Sequence, residues 1–168
     1  MKRKLMMIAS MLMLAISTFA TGKSPQTTTS RNWAVDGQFN SIVAKGNIEV
    51  VLVYDESQTI RIEGNEKFVN ALHLQVEDNV LKLSGLKGSA KERTIVYVPV
   101  RELNNVTLKG GCNLSSKGRL ESKRLHIRIE GLSVVNVKNL GDVIIDSDDQ
   151  YQFNYQKVER STVRIEKA

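Results

Sequence analysis

The stretch "VTLKGGCNLSS", Val106 to Ser116, interrupts a strand pattern with two glycines and then resumes the same alternation. Apolar and polar residues alternate on both sides of the glycines, as they do in a half-buried β-strand. Glycine adopts positive φ readily and leaves room where a side chain would crowd a neighbouring chain. The pattern therefore predicts a strand that turns a corner at the glycines, so that both arms line one core.

Two other stretches repeat this pattern. In Ile42–Val50 and Ile127–Val135, as in the first stretch, apolar residues take the first, third and ninth places, a charged residue the fourth and Gly the fifth. Gly131 follows Gly110 by 21 positions, and Gly110 follows Gly46 by 64, about three such periods. A repeat of about 20 residues built from short strands is typical of a β-solenoid. We therefore predict one β-helix-like coil with these structural glycines at its corners. An antiparallel β-sandwich with glycines at bulges is the alternative.

Strand periodicity continues through most of the chain. β-branched and aromatic residues fill short segments, and Gly, Asn, Asp and Ser separate them. The segments are Asn47–Tyr54, Thr59–Gly64, Leu72–Asp78, Val80–Gly85, Thr94–Val100, Leu125–Gly131, Ser133–Val137, Asp142–Asp146 and Thr162–Glu166. One helical turn is predicted within "NEKFVNALHL" (Asn65–Leu74). The sequence therefore predicts an all-β domain.

The N-terminal segment, residues 1–20, has the pattern of a secretory signal peptide. Basic residues 2–4 precede an apolar run from Leu5 to Ile16, and small residues follow. The run is too short for a membrane span of about 20 residues. We predict a signal peptide over residues 1–20, a flexible polar leader over 21–32 and a single all-β domain over 33–168. The exported chain then resides in the periplasm, at the cell surface or outside the cell.

Charge and cysteine content narrow the function classes. The chain has 24 lysines and arginines and 18 acidic residues, and three of the basic residues lie in the predicted signal peptide. The exported chain therefore carries a net charge of +3, which argues against a nucleic-acid partner. Its single cysteine, Cys112, cannot form an intrachain disulfide. Stability must come from a hydrophobic core, and we predict Cys112 as a small buried member of it.

Three long stretches carry a family resemblance. They are "FNSIVAKGNIEVVLVYDESQTIRIEGNEKFVNALHLQVEDNVLKLS", with its acidic loop at Asp55–Glu56, "TIVYVPVRELNNVTLKGGCNL", with its strand end at Pro99, and "HIRIEGLSVVNV". Together they resemble the bacterial family called putative auto-transporter adhesin, head GIN domain, over roughly residues 36–165. The tripeptide nearest to the family's Gly-Ile-Asn hallmark is Gly46-Asn47-Ile48. The resemblance implies an exported, coil-like all-β domain in the envelope of a Gram-negative bacterium, without enzymatic activity.

The segment "DSDDQ" brings Asp146, Asp148 and Asp149 close together. Carboxylates on a loop are ligands that Ca²⁺ prefers. The spacing fits neither a twelve-residue EF-hand loop nor the nonapeptide Ca²⁺ coil repeat. A solvated turn is the favoured interpretation, and whether the three carboxylates bind a cation is left open.

The segment "YQFNYQ" alternates aromatic and amide side chains. Tyr151, Phe153 and Tyr155 would share one face of a strand, where aromatic rings can form a platform for sugars. The favoured interpretation is that these rings close the core at the end of the coil. A binding surface formed by the three rings is the alternative.

The densest basic stretch holds Lys117, Arg119, Lys123, Arg124 and Arg128. Such a stretch can meet anionic polysaccharide or lipid headgroups. A solvated outer loop is favoured, because lysine and arginine also keep exposed strand edges from pairing with other chains.

The sequence contains no nucleophile elbow, P-loop, zinc spacing or dinucleotide-binding fingerprint. We assign no catalytic residue, metal or cofactor. The leading hypothesis is a non-catalytic, adhesin-like envelope protein that contacts surface glycan or envelope protein. One alternative is a periplasmic carbohydrate-active enzyme or small-ligand binder. Another is an architectural protein whose coils stack through terminal strands, since the sequence leaves the oligomeric state open.

Overall fold

The computed structural model describes residues 28–88, 92–147, 151–155 and 162–167. It has fourteen strands and one short helix. In chain order these are β1 (Thr28–Ala34), β2 (Ser41–Lys45), β3 (Ile48–Tyr54), β4 (Thr59–Asn65), α1 (Glu66–Asn70), β5 (His73–Glu77), β6 (Val80–Ser84), β7 (Thr94–Val100), β8 (Asn105–Lys109), β9 (Asn113–Lys117), β10 (Arg124–Glu130), β11 (Ser133–Val137), β12 (Asp142–Ser147), β13 (Tyr151–Tyr155) and β14 (Val163–Lys167).

The strands form two mixed sheets of seven strands each. Sheet A has the order β1-β4-β7-β3-β9-β11-β13, and sheet B has the order β14-β12-β10-β8-β2-β6-β5. The pairs β1–β4, β4–β7 and β5–β6 are antiparallel, and the other described pairs are parallel. The described strands do not close into a barrel. The prediction of an all-β protein is confirmed.

Successive strands from β8 to β14 alternate between the two sheets. Asn105 on β8 pairs in parallel with His126 on β10, at the same separation along the chain as Gly110 and Gly131. Arg124 on β10 pairs in parallel with Asp142 on β12, at a slightly smaller separation. The strand pairing thus follows the spacing of the repeat in the sequence. The structure shows two mixed sheets, and the finer interpretation of the fold as a β-helix-like coil stays a prediction.

The core lies between the two sheets and follows the period-two alternation of each strand. On β3, Ile48, Val50 and Leu52 are buried, while the residues between them are partly exposed. Buried residues of both sheets belong to one continuous cluster. Since each fully buried aliphatic side chain stabilises the fold by roughly 1.5–3 kcal/mol, this cluster is the main source of stability. Cys112 belongs to it, so the prediction of a buried cysteine is confirmed.

The helix α1 covers the end of the molecule where β1 and β4 lie. The Asn65 side chain accepts a hydrogen bond of 3.1 Å from the Lys67 N–H, which caps the helix. Phe68 and Val69 on the helix are buried. The predicted helical turn is therefore present, and it packs against β1 and β4.

One predicted boundary is wrong. Strand β1 begins at Thr28 and pairs antiparallel with β4. Thr28 lies opposite Asn65, and Ala34 lies opposite Thr59. Residues 28–32 thus belong to the sheet rather than to the predicted leader over 21–32. The sequence hides this strand because an edge strand pairs through its backbone and needs few apolar side chains. The predicted signal peptide and residues 21–27 lie outside the described residues.

Candidate functional site

The sheets are joined along one side by a row of glycines that we call the glycine corner: Gly46, Gly85, Gly110 and Gly131. Each glycine directly follows a strand of sheet B, and these four strands are neighbours in the order β10-β8-β2-β6. Backbone hydrogen bonds join the ends of neighbouring strands in sheet B, each of which we call one level of the stack. The Gly85 N–H donates to Lys45 O at 2.9 Å, and the Gly110 N–H donates to Glu130 O at 2.8 Å. The chain thus leaves sheet B at the same place on four successive levels.

Two physical requirements act on Gly46. Its φ is +104°, a region that residues with a side chain rarely adopt. A Cβ at this position would also lie 2.3 Å from the carbonyl oxygen of Gly85. Gly110 and Gly131 have φ of +81° and +109°. The structure therefore places Gly46, Gly110 and Gly131, the three glycines of the sequence repeat, at one corner.

Cys112 lies against the glycine corner. Its thiol donates to Gly46 O at 3.2 Å and to Lys109 O at 3.4 Å. Burial raises the pKa of the Cys112 thiol. A buried, protonated thiol is a poor nucleophile, because the thiolate is the reactive form.

The opposite corner of the sheets contains a groove of about 810 Å³. Strands β3 and β7 end here, and the groove is lined by residues 35, 37–40, 54–58 and 99–102, together with Asn79 and Glu121. Segments far apart in the chain meet because parallel strands of one sheet end on the same side. We call the lining residues the corner groove.

Tyr54 and Glu121 link two levels of the corner groove. The Tyr54 hydroxyl donates to Glu121 Oε2 at 2.9 Å, although the residues are 67 positions apart. Tyr54 is 41% exposed, which leaves part of its ring free to contact a ligand. The hydrogen bond to Glu121, with smaller effects of desolvation and the Glu121 charge, raises the pKa of Tyr54. The hydroxyl therefore stays protonated at neutral pH.

Asp55 shapes the loop that follows β3. Its Oδ1 accepts hydrogen bonds from the Ser57 N–H at 3.2 Å and the Glu56 N–H at 2.7 Å. These backbone donors, with Ser57 first, lower the pKa of Asp55. The turn is typical of aspartate, whose side chain can bond to the backbone two residues on. It fixes the loop on one side of the groove.

The charge of the corner groove is mainly negative. Four carboxylates, those of Asp55, Glu56, Glu102 and Glu121, line it together with one guanidinium, that of Arg101. Arg101 Nη2 forms an exposed ion pair with Glu56 Oε1 at 2.5 Å. Neutral polar groups complete the lining, namely the amides of Gln38, Asn40, Gln58 and Asn79 and the hydroxyl of Ser57. A tyrosine ring can pack against a sugar ring, and amides and carboxylates can hydrogen-bond to sugar hydroxyls.

Beyond the groove, the same side of the sheets is closed by buried polar contacts. Asn139 is fully buried. Its Nδ2 donates to Ser122 O at 2.9 Å, and its Oδ1 accepts from the Ser122 N–H at 3.1 Å. A Cβ at Gly141 would lie 2.2 Å from Lys123 O. This part of the corner is closed by a tight fit, whereas the part around Tyr54 is open.

The predicted aromatic surface falls on β13, whose backbone is described. The side chains of Tyr151, Phe153 and Tyr155 lie outside the described part of the structure. Asp148 and Asp149 also lie outside the described residues. Asp146 is described, and its Oδ2 lies 2.6 Å from His126 Nε2 on the neighbouring strand. Within the described ranges, no cluster of His, Cys, Asp or Glu could hold a metal ion.

The five residues of the basic stretch, Lys117, Arg119, Lys123, Arg124 and Arg128, are all exposed. Lys117 is the last residue of β9, Arg119 and Lys123 lie in the loop that follows, and Arg124 and Arg128 lie on the outer face of β10. Arg128 Nε contacts Glu130 Oε1 at 3.2 Å, which partly neutralises the stretch. No helix in the described part of the chain is long and apolar enough to span a membrane.

The corner groove was not predicted from the sequence. Its residues Asp55, Glu56 and Pro99 take part in the family resemblance, but no local pattern joins them into a site. The groove depends on which strand ends become neighbours, and strand order is not a local property of the sequence.

Comparison with known proteins adds a family. Residues 38–159 match the model of the family described as "Putative auto-transporter adhesin, head GIN domain". No curated protein matches the chain significantly.

Three solved structures are similar to the chain. A putative adhesin from Parabacteroides distasonis is 16% identical, with 83% of this chain and 74% of that chain covered and a TM-score of 0.47. A putative adhesin from Parabacteroides merdae is 14% identical, with 84% of this chain and 97% of that chain covered and a TM-score of 0.45. A putative lipid binding protein from Parabacteroides distasonis is 12% identical, with 86% of this chain and 98% of that chain covered and a TM-score of 0.38. At such low identity and TM-score, no ligand or role is transferred from these proteins.

Proposed function

Because the chain belongs to the putative auto-transporter adhesin, head GIN domain family, we propose that it is a non-catalytic binding module of the cell envelope. In this proposal residues 1–20 direct export and are removed, and the folded domain contacts a surface glycan through the corner groove. An envelope protein is the second class of partner that the family description allows.

The corner groove is the observation that carries the proposal. It combines the half-exposed ring of Tyr54 with amides and carboxylates on loops that follow rigid strands. Binding residues are found disproportionately on loops that a rigid scaffold positions. Carboxylates outnumber the single guanidinium of Arg101 by four to one. The groove therefore favours neutral or cationic amino sugars over anionic polysaccharides, which its charge would repel.

We also propose the finer description of the fold as a two-sided β-helix-like coil. Parallel pairing between residues 18 and 21 positions apart supports it. In this description Gly46, Gly110 and Gly131 are structural glycines at which the chain passes from one sheet to the other. The antiparallel strands β1, β4 and β5 then form its first end.

Binding of three tetrasaccharides, measured by calorimetry at low ionic strength, tests the glycan proposal. Chitosan tetrasaccharide is cationic, N-acetylated chitotetraose is neutral and tetragalacturonate is anionic. We expect binding of the first two and none of the third. Binding of tetragalacturonate alone would contradict the proposed role of the groove charge. Turnover of any of the three sugars would contradict the non-catalytic assignment.

Two matched variants locate the binding. Glu102→Gln removes one negative charge from the groove, and we expect it to weaken binding of chitosan tetrasaccharide at least about threefold, because one favourable charge pair is lost. Glu66→Gln removes the same charge from α1, outside the groove, and should leave the affinity unchanged. Equal effects of both variants would show that net charge acts rather than the groove. Tyr54→Phe tests whether the Tyr54 hydroxyl contributes to the affinity for chitosan tetrasaccharide. Tyr97→Phe removes a hydroxyl from the outer face of sheet A and is the control for that variant.

A further inference from the structure

The corner groove runs across the ends of neighbouring strands rather than along one strand. In sheet A the strands β4, β7, β3 and β9 are consecutive neighbours. Each of them brings a polar side chain to the groove, namely Gln58 directly before β4, Arg101 directly after β7, Tyr54 at the end of β3 and Glu121 in the loop after β9. All four side chains are exposed. We call these four residues the polar row.

The length of the polar row sets the size of a ligand that can contact all of it. Neighbouring strands lie about 4.8 Å apart, so the row extends over about 14 Å. The groove volume of about 810 Å³ is in the upper part of the range of about 300–1,000 Å³ that ligand pockets occupy. In a 1,4-linked chain each sugar ring advances by roughly one strand-to-strand step. A tetrasaccharide can therefore lie along the whole row, whereas a single sugar contacts only part of it.

Contacts between the strand ends hold the polar row in place. The Tyr54 hydroxyl donates to Glu121 Oε2 at 2.9 Å, and this bond joins the end of β3 to the loop after β9. The ion pair between Arg101 Nη2 and Glu56 Oε1 joins the residue after β7 to the loop after β3. A preorganised surface loses less conformational freedom when a ligand binds. An extended ligand thus meets a surface that is already formed along its length.

The direction of the groove argues against an extended peptide as the ligand. Extended peptides commonly bind by adding a strand to the free edge of a sheet. The groove crosses the ends of β4, β7, β3 and β9, and each of these strands has a neighbour on both sides. No free edge of these four strands therefore runs along the polar row, and a ligand there contacts side chains. Amide, hydroxyl and carboxylate side chains suit the hydroxyl and acetamido groups of sugars.

We propose that the corner groove binds a linear polysaccharide that lies along the polar row, with about one sugar ring at each strand end. The inference rests on the proposed glycan function and adds the length and the direction of the ligand. The polysaccharide runs in the direction in which the strands stack, from Gln58 at one end of the row to Glu121 at the other. A disaccharide occupies only half of the row.

A series of ligands of increasing length tests this inference. N-acetylated chitooligosaccharides of two to six sugars are neutral, so their charge does not change with length. Calorimetry should show that affinity rises at least about threefold with each sugar up to the fourth, because each ring gains polar contacts at a further strand end. A fifth and a sixth sugar extend beyond the row and should change the affinity less than about twofold.

The length series separates the inference from the function on which it rests. A disaccharide that binds as tightly as the tetrasaccharide would overturn the extended ligand and leave the glycan function intact. Affinity that keeps rising equally steeply from four to six sugars would contradict a row of four strand ends. Absence of binding by all the sugars, chitosan tetrasaccharide included, would overturn the glycan function itself.

Variants at the two ends of the polar row locate the ligand. Gln58→Ala removes an amide at one end, and Glu121→Gln removes a charge at the other while keeping an acceptor for the Tyr54 hydroxyl. Each should weaken the tetrasaccharide about threefold or more, because one end sugar loses its partner. Each should change the affinity for the disaccharide less than about twofold, because the other half of the row stays available. Gln75→Ala on β5 and Glu66→Gln on α1 are the matched controls outside the groove and should have no effect.

Two outcomes of the variant experiment would contradict a ligand that lies along the whole polar row. Equal weakening of the disaccharide and the tetrasaccharide by one variant, with no effect of the other, would assign a short site at one end. Binding of tetralysine without binding of any of the sugars would assign the groove to a peptide and would contradict the glycan function as well.

Discussion

The glycine corner and the corner groove lie on opposite sides of the same two sheets, yet they are built differently. At Gly46, Gly110 and Gly131, only two or three residues join consecutive strands. Gly46 also has no room for a side chain, because Gly85 O lies so close. At the groove, strand β3 ends at Tyr54, and loops that carry Asp55 and Arg101 follow β3 and β7. One side of the molecule is thus formed by close backbone contacts, while the other carries polar side chains at strand ends and on loops.

The largest effect is expected at the glycine corner. Gly46→Ala places a Cβ 2.3 Å from a backbone oxygen and in a residue with φ of +104°. We expect the free energy of unfolding to fall by about 3 kcal/mol or more, since backbone strain and overpacking each cost about 1–3 kcal/mol. Urea unfolding followed by circular dichroism measures the loss.

Gly111→Ala is the matched control for that variant. Gly111 is exposed, its φ is not positive, and nothing lies within 4 Å of an added Cβ. The free energy of unfolding should change by less than about 1 kcal/mol, with stabilisation favoured because alanine restricts the unfolded chain. Equal losses at Gly46 and Gly111 would remove the distinction on which the glycine corner is defined.

A smaller effect is expected where the groove side is closed by Asn139. Asn139→Ala leaves the buried N–H and C=O of Ser122 without their side-chain partners. We expect a loss of about 2 kcal/mol, because an unsatisfied buried polar group costs roughly 1–3 kcal/mol. Asn136→Ala, on the exposed face of β11, should cost less than about 0.5 kcal/mol. Thermal unfolding of both variants compares them, and a loss at Asn136 as large as that at Asn139 would contradict this explanation.

The smallest effect is expected from Asp55 at the edge of the groove. Its pKa is lowered in the folded protein by the Ser57 and Glu56 backbone donors. A carboxyl with a lowered folded pKa stabilises the fold above its unfolded pKa of about 3.9, and this contribution is lost as pH falls through the folded value. Asp55→Ala should therefore be less stable than wild type at pH 6, and the difference should shrink towards pH 3. Urea unfolding at three pH values measures it. A difference that grows on acidification would have the wrong sign.

The two corners were also unequally predictable from the sequence. The glycines were found because apolar alternation around a glycine is a local pattern, and it recurs at the spacing of Gly110 and Gly131. Gly85 was missed as a corner residue because Ser84 and Ser89 stand where the repeat has a charged and an apolar residue. Strand β1 was missed because residues 28–32 are polar and pair only through the backbone at a sheet edge.

The groove could not be predicted for a different reason. Tyr54 and Glu121 are 67 positions apart and meet only because β9 pairs with β3. Strand order across a sheet depends on how all the strands pack, and one sequence does not reveal it.

Backbone amide shifts during a titration with chitosan tetrasaccharide test most directly whether one corner holds the fold and the other binds. We predict shifts confined to residues 54–58, 100–102 and Glu121, with the amides of Gly46, Gly110 and Gly131 unchanged. Shifts centred on the glycine corner or on the outer faces of the sheets, with the groove amides unmoved, would contradict this division of roles.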